Sequence, residues 1–261
     1  MSFGEKKTFN AMKISNFYRV LSFVILLGIS ASCDSDSEDP HQTTQTNPLP
    51  SPGDADGVLA AIKAKSNLPE GTPTVPGMPD ILIDVANANF YSSGINSSLV
   101  NAGDVSINAF AMQNVNGTYV NNFTDITLGI NEGQANDWVV SGGNGFDGFS
   151  HTTSKPMPGV VRFQTSVGDQ VALGGDVTLS IQNVPSNVDN ILWVISDGRE
   201  VVTKEARSTS MTFSASEISG LRATSQGIVQ VAAYNSESQT FGGKKIYFIN
   251  ETVDSKFVSL N

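Results

Sequence analysis

From residue 80 onward the chain is written in short runs of alternating apolar and polar residues, separated by Gly, Asn, Asp and Ser. Side chains of a strand point alternately to two faces, so a period of two punctuated by turn residues specifies an all-β fold, sandwich or barrel. The pattern is clearest after residue 166. Val177, Leu179 and Ile181 alternate, and Ile191 to Ile195 is a continuous apolar run around Trp193, as in a strand buried on both faces. Asp197 and Gly198 form a hairpin signal leading into a strand over 200–204. Met211 and Phe213 alternate, and 216–221 reads as one helical turn crossing between sheets. Val229, Val231 and Ala233, then 246–249 and 257–260, supply the remaining strands. The stretch before this is less regular, with strands expected over 81–90, 105–112, 126–130 and 138–140 and a turn at Asn116 and Gly117. The length divides into two β-sandwich units, 80–165 and 166–261.

Seven or eight strands in about 95 residues match the layout of an immunoglobulin-like sandwich. Gly227 to Val231 stand where antibody-type domains carry a tyrosine corner and a cysteine, and valines occupy those places. The second unit therefore resembles the disulfide-free bacterial Ig-like and fibronectin-III-like modules. That resemblance implies a spacer or a binding domain.

The N-terminal stretch has the form of a targeting segment. Lys6, Lys7, Lys13 and Arg19 precede an apolar run, 20–29, that ends in Ser30, Ala31 and Ser32. Ten helical residues span only about 15 Å of a roughly 30 Å hydrocarbon core, so a secretion signal over 1–32 fits better than a membrane span. Cys33, the only cysteine, follows directly. Ile29 to Cys33 resembles a lipobox, although Ser30 stands where the usual pattern has an aliphatic residue. The resemblance implies acylation of Cys33, which would consume a thiol that is otherwise a liability in an exported protein. Several dozen buried methylenes at about 0.8 kcal/mol each make such attachment effectively permanent. With no second cysteine there is no disulfide within the chain, and the fold rests on its apolar core.

Removing residues 1–32 takes away four basic residues and one acidic one, moving the formal charge from −10 to −13. Such a surface repels nucleic acid, so no DNA or RNA partner is expected. Asp34, Asp36, Glu38 and Asp39 come next, followed by a stretch rich in Thr, Gln and Pro. Its low apolar content predicts a disordered tether over 33–79, with one short helix capped by Asp54 or Asp56 and carrying Val58, Leu59 and Ile62 on one face. The acidic cluster resembles the export signal behind the acylated cysteine of surface lipoproteins of the Bacteroidota. It alternates like a calcium loop but lacks the Gly and distal Glu of an EF-hand. Altogether the chain resembles the surface lipoproteins of that phylum that place β-sandwich modules on an acidic or proline-rich tether. The expected location is the outer membrane, lipid-anchored and facing outward.

One loop stands out as a candidate binding surface. Between Trp138 and His151, four glycines permit tight turns and bring Trp138, Asn144, Phe146, Asp147, Phe149 and His151 near one another. Aromatic faces framed by amide and carboxylate groups suit a glycan; packing of the same aromatics into one end of the sandwich is the competing reading. Asp137, Asn144 and Asp147 are also weighed as calcium ligands, without a fixed spacing motif; no other cofactor is expected.

The catalytic inventory is thin. With Cys33 acylated and His41 in the tether, His151 is the only histidine left for a folded domain, and no Gly-x-Ser-x-Gly elbow, Walker loop or dinucleotide fingerprint occurs. Zinc sites with several His or Cys ligands are excluded. A glycosidase needs only two carboxylates at a suitable separation. The expected function is noncatalytic binding of a glycan or another envelope component, the protein not being an enzyme. The alternatives are a structural spacer or assembly subunit and, last, a carboxylate-dependent glycoside hydrolase.

Overall fold

A computed structural model describes residues 53–65, 81–95, 97–122, 124–164 and 167–261. Residues 1–52, among them the signal segment, Cys33, the acidic cluster and His41, lie outside the described residues, as does the proline-punctuated link over 66–80.

The described chain is all-β. The first part holds β1 (Gly57–Lys65), β2 (Leu82–Phe90), β3 (Val105–Ile107), β4 (Phe110–Ala111), β5 (Gln113–Val115), β6 (Thr118–Val120), β7 (Asp137–Val140) and β8 (Phe149–Thr152). The second holds β9 (Gln170–Val171), β10 (Val177–Ser180), β11 (Asn190–Ser196), β12 (Val201–Glu205), β13 (Ser210–Phe213), β14 (Thr224–Phe241) and β15 (Lys244–Leu260). One nine-stranded sheet runs β12-β11-β14-β15-β1-β2-β6-β5, with β9 on the far end of β15. A four-stranded sheet, β4-β3-β7-β8, and a two-stranded sheet, β10-β13, complete the fold.

The long hairpin β14–β15 joins the two parts. Its strands pair from Phe241↔Lys244 at the tip to Thr224↔Leu260 at the far end, around a turn in which Gly242 and Gly243 both have positive φ. One face of the large sheet carries two separate cores. Leu59, Ala61, Phe90, Ile246 and Phe248 pack against Ile107, Trp138 and Val140 of the four-stranded sheet. Farther along, Trp193, Val229, Val231 and Val258 pack against Leu179 and Phe213 of the two-stranded sheet. The two sandwiches expected at 80–165 and 166–261 thus share a single sheet.

Between the cores lies a polar stripe. Asn250 donates to Thr153 Oγ1 (3.0 Å) and Lys155 O (2.7 Å), and Thr252 donates to Gly159 O (2.9 Å). Asp254 accepts from Phe163 N (2.9 Å). At every second residue, β15 therefore presents a side chain that pins the segment linking the two parts, and these bonds satisfy groups that would be costly to bury alone. This is why 250–256 is strand despite its polar sequence.

The helix expected around Val58, Leu59 and Ile62 is instead β1. It lies parallel to β15 and antiparallel to β2, with Val58 and Ile62 on one face and Leu59 on the other. A strand in the middle of a sheet is apolar on both faces, so its period is invisible in the sequence. Asp54 and Asp56 are not caps but fasten the start of β1 to the hairpin tip. Asp56 accepts from Lys245 N (2.9 Å) and pairs with Lys244 Nζ (3.1 Å). Asp54 accepts from Lys245 Nζ (2.6 Å) and Tyr247 OH (2.9 Å), bonds that hold its carboxyl below the usual range.

Two other expectations differ. The stretch 126–130 is not a strand: Asp84 N donates to Ile126 O (3.0 Å), while the Asp84 carboxylate accepts from Leu128 N (2.8 Å) and Ile130 N (3.1 Å). A buried carboxylate, itself paired with Lys63 Nζ at 2.6 Å, replaces the ladder of a neighbouring strand. The segment 216–221 forms turns without a helix and buries Ile218 and Leu221.

The other face of the large sheet bears a third apolar cluster, including Ala60, Ile62, Val85, Val194, Ala232, Ile249 and Val253. Glu251 lies within it, 2 % exposed, with Oε2 lacking any hydrogen-bond partner. Burial pushes its carboxyl up to about 8. Among the described residues no helix is long and apolar enough to cross a membrane.

Candidate functional site

The loop between β7 and β8 is folded back on itself by its glycines. Gly142 has φ +91, and a Cβ there would meet Gly148 N at 2.6 Å, so any larger residue would open the turn. Gly143 and Phe146 exchange backbone hydrogen bonds (2.9 and 3.0 Å). Sequence reasoning gathered six residues here, and the structure divides them.

Trp138 and Phe146 are packing residues. Trp138 is fully buried, paired between Ile107 and His151 on the inward face of β7, and its Nε1 has no hydrogen-bond partner. Phe146 sits edge-on to Phe90, centroids 5.1 Å apart, with Lys244 Nζ 5.4 Å from its ring centre. Neither presents a face to a ligand; the alternation of β7 and the closed turn direct both inward. Asn144 is exposed and donates to Asn101 O (2.7 Å), tying the loop to its neighbour. The Asp147 carboxylate lies over Gly242 of the hairpin tip. Asp137 accepts from Thr152 Oγ1 (2.6 Å) across β7–β8. These three polar groups face three different neighbours, and among the described residues no group of three or more His, Cys, Asp or Glu is placed to hold a metal.

Phe149 and His151 do come together, against partners about ninety residues later that sequence reasoning missed. The Phe149 ring stacks on Phe241 (4.1 Å, 8°), and His151 lies over Phe248 (4.1 Å, 30°). His151 Nε2 is 2.7 Å from Glu237 Oε1. The same carboxylate accepts from Ser154 N (2.9 Å), Ser154 Oγ (2.5 Å) and Lys155 N (2.9 Å). Burial raises the Glu237 carboxyl, but these bonds outweigh it and hold the group below its ordinary value. Lys155 Nζ then bridges to Asp189 (2.6 Å) and Ser236 O (2.8 Å). One signal for these partners was available: Gly242 and Gly243 mark a hairpin, which sets Phe241 and Glu237 on one strand and Phe248 on the next.

The chemistry of this cluster is that of a fastening. In a nucleophile–base–acid chain the imidazole stands between serine and carboxylate. Here Glu237 stands in the middle, so Ser154 contacts the carboxylate and not the imidazole, and a carboxylate receiving four hydrogen bonds has little capacity left to abstract a proton. Glu251, whose carboxyl is raised toward neutrality, is buried among apolar side chains on the opposite face, away from any of these groups.

No family model matches the chain, and no curated protein matches it.

Proposed function

We propose that this protein is a lipid-anchored envelope protein, acylated at Cys33 and carried on the outer membrane, that works by noncatalytic binding of another envelope component. The observation that carries the reading is where the tether meets the sheet. Gly57 opens β1 beside Ile246 and Phe90, next to the hairpin tip, and β15 then runs away from that point to Leu260. Seventeen residues at about 3.3 Å each make roughly 55 Å of continuous strand. The part built on the four-stranded sheet stands nearest the anchor, and the Ig-like part stands farthest from it.

The display end is therefore the 197–200 turn and its neighbours, while the 141–148 loop faces back toward the membrane. A glycan platform on Trp138 and Phe146 has no support once both are packed, and the half-buried Phe149–Phe241 stack is what remains for it. The second reading, a structural spacer or assembly subunit, is favoured by the long hairpin that holds both parts in one sheet. The test is a photo-cross-linker placed at exposed Arg199 in cells. A defined envelope adduct formed there, absent with Cys33→Ala, supports the proposal. Adduct formation unaffected by Cys33→Ala, or turnover of a glycoside abolished by one Asp or Glu substitution, would overturn it.

A further inference from the structure

The first and last long strands among the described residues, β1 and β15, lie side by side and parallel, joined by eight register pairs from Gly57↔Ile246 to Ala64↔Val253. The tether leaves the start of β1 at one end of the sheet, and Asn261 leaves β15 at the other. A pull on the tether against a load on the far part drags β1 along β15 and along β2, with which it makes nine more antiparallel pairs from Gly57↔Phe90 to Lys65↔Leu82. In that direction every ladder bond is strained together, whereas a pull across the strands opens them one at a time. We propose that β1, held between β15 and β2, is a tension-bearing clamp that lets the anchored protein carry a mechanical load between the membrane and a partner at its far end.

Further contacts lie in the same line. At the start of β1, Asp54 and Asp56 hold Lys244, Lys245 and Tyr247 through four bonds of 2.6–3.1 Å. Near its end, the partly buried Lys63 pairs with the buried Asp84, whose second oxygen is fixed by Leu128 N and Ile130 N. A slip of one residue would reverse the faces of Leu59, Ala61 and Ile62, and any slip would break the Lys63–Asp84 pair. Two cores on one sheet mean that the strand cannot move without disturbing both the tether-side core and the third cluster, to which it contributes Val58, Ala60 and Ile62.

The load-bearing role rests on the anchor reading, but the clamp is tested on unlipidated full chain, so the two can fail separately. The Cys33 thiol, the only one in the chain, is one handle. The second is placed after Asn261 for the sliding geometry, or at exposed Thr240→Cys, beside the start of β15, for the peeling geometry. Forced unfolding is governed by the unfolding rate along the pulled direction. The sliding geometry should unfold at a several-fold higher force than the peeling one, and Asp56→Ala should lower the sliding force. Equal forces in the two geometries would overturn the clamp, whatever Cys33 carries in the cell.

Discussion

Glu251 gives the sharpest handle on the energetics. In the unfolded chain its carboxyl titrates near 4.5, and in the fold near 8. A group whose folded value is raised favours the fold least when it is ionised in the unfolded chain but must hold its proton in the native state. Stability is therefore full below about 4.5 and is lost progressively as pH rises from there to about 8. At about 1.4 kcal/mol per pH unit, the loss is about 1 kcal/mol at pH 5.5, about 3 at pH 7 and roughly 5 at pH 9. Glu251→Gln keeps the shape and removes the titration. Replacing the acid by an amide in an apolar setting adds an offset that does not vary with pH. The stability of the variant minus that of the parent should then climb by roughly 3–4 kcal/mol between pH 5.5 and 9. Urea unfolding followed by the fluorescence of buried Trp138 and Trp193 measures it at each pH. A difference that stays flat, or that shrinks as pH rises, would refute a buried, uncompensated carboxyl at this place.

Other outcomes follow from the packing and the fastening. Trp138→Ala should cost about 3–5 kcal/mol, as for a fully buried aromatic, and Phe149→Ala less, because that side chain is only partly buried; urea unfolding ranks them. Glu237→Gln should cost about 1–3 kcal/mol by leaving donors from Ser154, Lys155 and His151 poorly matched. Because the Glu237 carboxyl is held below 4.5, the stability it lends is present above that value and fades as pH falls beneath it, so the gap between variant and parent should narrow in acid. Trp138 and Trp193 sit in the two different cores of one sheet. In each single-tryptophan variant, Trp138→Phe and Trp193→Phe, the fluorescence of the remaining tryptophan and the far-UV circular dichroism should give coincident urea transitions; two separated midpoints within one variant would mean that the shared hairpin does not couple the parts.

The sequence made the fold class readable because its turns are chemically explicit. Asn116 and Gly117 take positive φ in the β5–β6 turn, and Asp197 with Gly198 opens the β11–β12 connection. What escaped reading was strand whose polar side chains are satisfied far away in sequence. Asn235, Glu237, Asn250, Thr252 and Asp254 look like loop residues, yet each meets a backbone group in 153–163 or 187–189. β1 was hidden for the opposite reason, being apolar on both sides. The candidate loop was legible as a tight glycine turn, but direction was not: β7 points Trp138 inward, and only its register between β3 and β8 says so.

Everything proposed about display and load begins at Cys33, so the most direct measurement is metabolic labelling with a fatty-acid analogue, comparing the parent chain with Cys33→Ala. Label on the parent and none on the variant, with the variant released from the membrane fraction, is the expected result. Equal labelling of both, or no label on either, would contradict the lipid anchor.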